Sequence, residues 1–243
     1  MKYTIITFIH LLFFTSMNAQ TKLELKPEAG LGFVLYSFTS DSLIPPNRTN
    51  GLSTGSTGFV NIRINFQTSD YKWLFSTGTG ITTNRTVLRE NNGFDRFFDQ
   101  LLLIYGSGGD LPTKNILIKY QNINLPIGVA YNLNRKNPGN FQSYFGIDAV
   151  LQFNIGKQVN IHAPSYNYTA AEIKQMSEEY KERVEPFVLM LMPKFEFRTN
   201  LQKKTRHSFI ISPFSVYNQS QLKGLTVKPV AIHMAYAVSL QLN

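Results

Sequence analysis

The stretch KPVAIHMAYAVSLQLN, residues 228 to 243, alternates without a break from Val230. Val230, Ile232, Met234, Tyr236, Val238, Leu240 and Leu242 fall on one face; Ala231, His233, Ala235, Ala237, Ser239 and Gln241 fall on the other. Period two is the signature of a β-strand, whose successive side chains point to opposite sides. A face this apolar must be covered by a protein core or by lipid, and that choice decides the fold.

The same design recurs upstream. In FVNIRINF, residues 59 to 66, Val60, Ile62, Ile64 and Phe66 oppose Asn61, Arg63 and Asn65. INLPIGVAYNL (123 to 133), YFGIDAVLQFNI (144 to 155) and FVLMLMPKFEFR (187 to 198) each pair a large apolar face with a small or polar one, which carries occasional charges such as Asp148, Lys194, Glu196 and Arg198. The pattern predicts eight strands, near 22–39, 56–68, 71–88, 115–134, 140–161, 185–200, 205–218 and 227–243. Three connections are short and turn-rich, at Ser69-Asp70, Asn134 to Gly139 and Leu201 to Lys204. Three are long, at about 40–55, 89–114 and 162–184, and the last, near 219–226, is intermediate.

An even strand count with alternating short and long connections is the layout of an eight-stranded antiparallel up-and-down transmembrane β-barrel, an all-β fold. Its short turns would face the periplasm and its long loops, carrying one or two short helices, the exterior. Strand eight must then pair with strand one, near Leu23 to Tyr36, because an open edge cannot persist in hydrocarbon. Aromatics give a second indication. Phe66, Tyr71, Trp73, Tyr131, Phe141 and Phe197 all fall on the apolar register at the short-turn end, where an interfacial girdle belongs. A secreted soluble barrel with its apolar faces turned inward is the competing architecture.

Composition agrees with an exported membrane protein. Charged residues make up 16% of the 243, against roughly 25% in ordinary soluble domains. Residues 1–20, with Lys2 ahead of an apolar run and Ala19 near a cut, read as a signal peptide; residues 21–243 are the barrel domain. Losing Lys2 lowers the formal charge of +9 by one. The absence of cysteine excludes disulfides and thiolate chemistry. Lys and Arg are scattered rather than gathered in a stripe, so nucleic acid is not an expected partner. Outer-membrane lipid and lipopolysaccharide are, together with the barrel-assembly machinery that would read the closing strand.

Residues 120 to 133, YQNINLPIGVAYNL, followed by a turn and YFGIDAVLQFNIG, resemble the PorT-like outer-membrane β-barrel families of Bacteroidetes, whose hallmark is a Y-x-x-I-P-L strand followed by a Gly-rich one. The leader ending in Asn-Ala-Gln is similar to those of that phylum. The chain departs from the pattern at Asn124-Leu125-Pro126 and in ending on Asn243 rather than an aromatic. The resemblance implies an outer-membrane barrel of eight strands and no settled activity, so no catalytic residue is carried over.

The inward register predicts lumen charges at Glu24, Lys26, Glu28, Arg63, Lys119, Asp148, Lys194, Glu196, Arg198 and His233. They would form either a narrow charged passage or internal ion pairs that plug the barrel; the second is favoured because unpaired buried charge is very costly. Alternation slips near Gln121-Asn122, which predicts a β-bulge there, and Pro126 and Pro193 should coincide with bulges or kinks. His207-Ser208 and His233 lack a placed carboxylate, and His162, His207 and His233 lack ligand spacing. The expectation is therefore a chain without enzymatic activity, cofactor or metal.

Two loops carry helical patterns. In FDRFFDQLLLIY, residues 94 to 105, Phe94, Phe97, Phe98, Leu101, Leu102 and Tyr105 predict an amphipathic helix able to dock a surface or envelope partner or to pack on the rim. Thr169 with Glu172 forms a capping box ahead of a polar helix, which reads as a solvated loop cap. Asn47, Asn84 and Asn167 open N-x-Thr patterns, and Asp41-Ser42-Leu43 resembles a short O-glycosylation signal. The overall expectation is a structural or surface-interaction protein, with a small pore or transport component as the alternative.

Overall fold

The computed structural model describes residues 22–39, 50–89, 115–134, 141–162, 169–199, 204–218 and 230–242. Eight strands form: β1 (Lys22–Thr39), β2 (Asn50–Gln67), β3 (Trp73–Arg89), β4 (Asn115–Asn132), β5 (Phe141–His162), β6 (Phe187–Thr199), β7 (Thr205–Tyr217) and β8 (Val230–Gln241). Among the described residues one helix, α1 (Ala170–Arg183), lies between β5 and β6. Each strand pairs antiparallel with its neighbour in sequence, and β8 returns to β1, from Glu24↔Gln241 to Leu35↔Val230, closing the barrel. Pairing lapses at Lys26 and Pro27 and resumes in the same register, so neither strand is left as a free edge, the condition a wall in hydrocarbon would have to meet.

Alternation sorts the side chains. Leu31, Phe33, Val60, Ile62, Ile81 and Met234 all point outward, with Phe33 73% exposed. The partners in each pattern point into the lumen, where Glu24, Asp148, Glu196 and Arg198 are 0% exposed. This overturns the soluble architecture, which needs the apolar faces inside. Along β4 the outward apolar run from Tyr131 to Ile123 covers nine residues, within the 9–11 that cross a bilayer when tilted about 45°. At its short-turn end Trp73 meets Tyr131 edge-on at 5.1 Å and Phe141 stacks on Phe197 at 6.1 Å, giving the wall an aromatic rim.

Three expectations need correction. The β4–β5 register does shift between Gln121 and Asn122, where the sequence predicts a bulge, but the bulge is not in β4, whose even residues face inward from Ile118 to Asn132. The extra residue is Ile155 on β5: Gln121 pairs with Gly156 and Asn122 with Asn154. The Asn154 amide closes the break by donating to the Gln121 carbonyl at 3.1 Å and the Gly156 carbonyl at 3.3 Å. Lys119 is consequently on the outer face, exposed, because Ile118 and Tyr120 take the lumen positions on either side of it.

Pro126 makes no bulge. Pairing with β3 lapses between Thr77↔Ile127 and Gly80↔Asn124 and resumes in the same register, so the missing N–H costs a ladder bond and nothing more. Pro193 does face a register shift, but the extra residue belongs to β7, where Pro213 and Phe214 both point outward. There the Ser212 hydroxyl donates to the Phe214 carbonyl at 3.1 Å.

Candidate functional site: the sealed lumen

Charged side chains from five strands, β1, β2, β5, β6 and β7, meet in the short-turn half of the barrel. Arg206 binds Glu24, whose Oε2 also accepts from Arg198 Nη1 at 2.9 Å. Arg198 Nε donates to Glu196 at 2.7 Å, and Glu196 holds Lys26 Nζ at 2.8 Å. Lys26 lies 3.8 Å from Glu28, Glu28 lies 3.2 Å from Arg63, Arg63 Nη1 donates to Asp148 at 2.6 Å, and Asp148 holds Lys194 at 2.7 Å. The result is one unbranched chain of nine residues in which cation and anion alternate, five positive and four negative, joined by eight ion pairs.

Several links cross the lumen instead of running along the wall: β1 to β6 through Glu24–Arg198 and Lys26–Glu196, and β2 to β5 through Arg63–Asp148. Small residues opposite them make the room. Gly128 faces Asp148 across the β4–β5 pair, and a Cβ there would lie 1.9 Å from its Oδ1. Below the chain, Gln67 Nε2 donates to the Tyr144 hydroxyl at 2.6 Å, which donates in turn to Gln142 at 2.6 Å, while Arg198 stacks over the Tyr144 ring. The cavity beside Glu28, Arg63, Asp148 and His233 measures about 10 Å³, room for roughly one water.

The long-loop half closes differently. Ile118, Tyr120, Val159, Ile161, Val188 and Met190 form an apolar cluster, with Val34, Tyr217 and Ala231 from the remaining walls. Helix α1 joins it through Tyr180, buried, and through Ile173 and Met176, partly buried. These three positions, spaced three and four apart, make one narrow stripe on an otherwise polar helix. The expected solvated cap therefore has an apolar underside. Its capping box is intact: the Thr169 hydroxyl accepts from the Glu172 N–H at 3.3 Å and the Glu172 carboxylate accepts from the Thr169 N–H at 2.7 Å.

Of the lumen residues expected from sequence, Glu24, Lys26, Glu28, Arg63, Asp148, Lys194, Glu196, Arg198 and His233 lie inside and Lys119 outside. Arg206 was missed, although it shares the register of Ser208 and opposes Phe209 and Ile211. His233 is inside but not in the chain: its Nδ1 meets Ser215 Oγ at 2.9 Å, and Phe59 packs edge-on against its ring. His207 and Ser208 point to opposite sides of the wall and do not form a pair. Asn84 is buried in the lumen at 1% exposure, so it is no glycosylation acceptor. The leader, Asp41 to Leu43, Asn47, Asn167 and the 94–105 segment lie outside the described residues.

No protein-family model matches the chain, nor does any curated protein. Solved structures to which it is similar include Neisserial surface protein A (8% identity, TM-score 0.39, covering 90% of this chain and 97% of that one). OprG, an outer membrane protein of Pseudomonas aeruginosa, has 11% identity and a TM-score of 0.42, covering 90% and 96%. Ail, the attachment invasion locus protein of Yersinia pestis, has 9% identity and a TM-score of 0.27, covering 88% and 98%.

Proposed function

We propose that this chain is an integral outer-membrane β-barrel that neither conducts nor catalyses, and that serves as a structural or surface-interaction protein through its long-loop end. One observation carries the reading: the wall is apolar outside while the lumen is filled twice over, by ion pairs in one half and by the α1-capped apolar cluster in the other. The likeness of residues 120–133 to PorT-like barrels supports the same location. Sealing of His233 within the lumen supports a non-enzymatic role. In this orientation the short turns and both termini are periplasmic, lipopolysaccharide surrounds the outer leaflet, and barrel-assembly machinery inserts the chain.

Insertion is tested by refolding the full chain with vesicles. A heat-modifiable gel shift and flotation with the lipid are expected, and a protein that stays in the aqueous phase without detergent overturns the membrane reading. The seal is tested separately in planar bilayers, where no discrete openings are expected. Stable nanosiemens-scale openings would establish the pore alternative instead.

A further inference from the structure

Arg85 on β3 and Lys119 on β4 are direct cross-strand partners on the outer face, and both are exposed. Like charges directly opposite each other destabilise a sheet. Among the described residues neither has a carboxylate partner, and no described Asp or Glu lies on the outward register of any strand. Ser56 pairs with Arg85 on one side and Gln158 with Lys119 on the other, so four adjacent strands present a polar rung, Ser56–Arg85–Lys119–Gln158. All four side chains are exposed.

The rung stands at a defined height. Four residues nearer the short turns, or five on β5 with its bulge, the same strands present Val60–Ile81–Ile123–Phe153, all outward and apolar. From Tyr131 in the aromatic rim to Lys119 is twelve residues along β4, about 40 Å of strand and about 28 Å along the bilayer normal at a tilt near 45°. The apolar band of such barrels is about 25 Å tall. Arg85 and Lys119 therefore sit just beyond the hydrocarbon at the opposite interface, the depth of lipid phosphates. A guanidinium there can grip a phosphate with two parallel N–H donors while the ammonium supplies a second point charge.

Taken together, and resting on the membrane reading above, we infer that the Arg85–Lys119 rung is a binding site for the phosphate group of an anionic outer-leaflet glycolipid such as lipopolysaccharide. The phosphate bridges the two cations and relieves their repulsion, and Ser56 and Gln158 donate to its remaining oxygens. The acyl chains lie down the Val60–Ile81–Ile123 surface.

The test uses the full chain folded in neutral detergent micelles, with retained lipid counted by native mass spectrometry for lipopolysaccharide and for the same lipid dephosphorylated. At about 1 kcal/mol per interfacial cation, R85A/K119A should retain phosphorylated lipid about thirtyfold more weakly. R85K should hold it better than R85A, and K72A at the opposite end should leave it unchanged. Equal retention by wild type and R85A/K119A, or of the phosphorylated and dephosphorylated lipids, overturns the site. So does displacement of the lipid by millimolar inorganic phosphate, which would mark a free-anion site. Insertion into pure phosphatidylcholine vesicles is scored in parallel: a chain that inserts but shows no phosphate preference loses only this site, whereas one that fails to insert loses the membrane reading itself.

Discussion

Replacing Asp148 by asparagine keeps the side-chain shape and deletes one charge from the middle of the lumen. Asp148 accepts from Arg63 at 2.6 Å and holds Lys194 at 2.7 Å, with all three side chains 3% exposed or less. Arg63 keeps Glu28, at 3.2 Å, but among the described residues Lys194 loses its only carboxylate. The chain, five cations against four anions, becomes five against three. Removing one member of a buried pair costs about 3–5 kcal/mol. With a urea dependence of about 2 kcal/mol per molar, the unfolding midpoint should fall by roughly 2 M. Trp73, the single tryptophan and part of the outward rim, reports the transition by fluorescence in neutral vesicles. Lys194→Met added to Asp148→Asn should recover much of the loss, since the stranded ammonium is gone. Glu178→Ala, which breaks the exposed Glu178–Lys181 pair, sets the scale at about 0.3–0.5 kcal/mol. If Asp148→Asn moves the midpoint no further than that control, the lumen charges are solvated by water, and the idea of a packed ionic core is refuted.

Ile127 lies midway along the outward apolar run of β4 and is 51% exposed; Ile127→Arg should cost about 2–4 kcal/mol at the bilayer midplane, and Thr83→Arg near the interface about 0–1. Equal urea midpoints for the two variants in neutral vesicles would contradict the proposed depth profile. Thr169→Ala removes the hydroxyl half of the α1 capping box and should weaken the helix by roughly 1 kcal/mol, seen as faster amide exchange over residues 170–183 with the barrel wall unchanged. Hydrogen bonds from the Thr169 backbone, then from its side chain, hold the Glu172 carboxyl below its ordinary value. A depressed folded-state pKa stabilises above the ordinary glutamate range and is lost as pH falls through it. Exchange over α1 should therefore speed up, relative to the wall, in acid and not in base.

The strands were legible because their outward faces meet one solvent throughout. Wherever the lumen is polar, apolar means outward, and the reading of β1, β6 and β8 follows residue by residue. The rule fails where the lumen itself turns apolar. Ile118 and Tyr120 look like wall residues but are inward, since α1 closes the barrel above them. That inversion put Lys119 in the wrong register and moved the bulge from β5 to β4. Strand β2 starts at Asn50 rather than near residue 56: Asn50 to Gly55 pair with β1, but the sequence there, NGLSTG, has no alternating apolar face to announce a strand. The charged residues could be listed from sequence but their partners could not. Glu24 and Arg198 are 174 positions apart and on strands that do not touch.

The smallness of the inward face of β8 follows from those crossings. Arg206 on β7 reaches Glu24 on β1 although β8 lies between them. Its path runs over Ser239, its pairing partner on β8, which is fully buried. One step up, Ala237 lies between Ser208 on β7 and Glu28 on β1. A large side chain at either place would occupy the volume through which the ion pairs pass, and overpacking a filled interior costs about 1–3 kcal/mol. Higher still the requirement changes: His233 fits because Gly32 opposes it, where a Cβ would lie 2.4 Å from the ring. The closing strand is thus shaped on its two faces by different demands, large and apolar on the outer face, which the proposed membrane reading turns to lipid, and small where charges from neighbouring strands must cross it. Closure of the wall and filling of the lumen depend on the same twelve residues, so the seam of the barrel is also part of its seal.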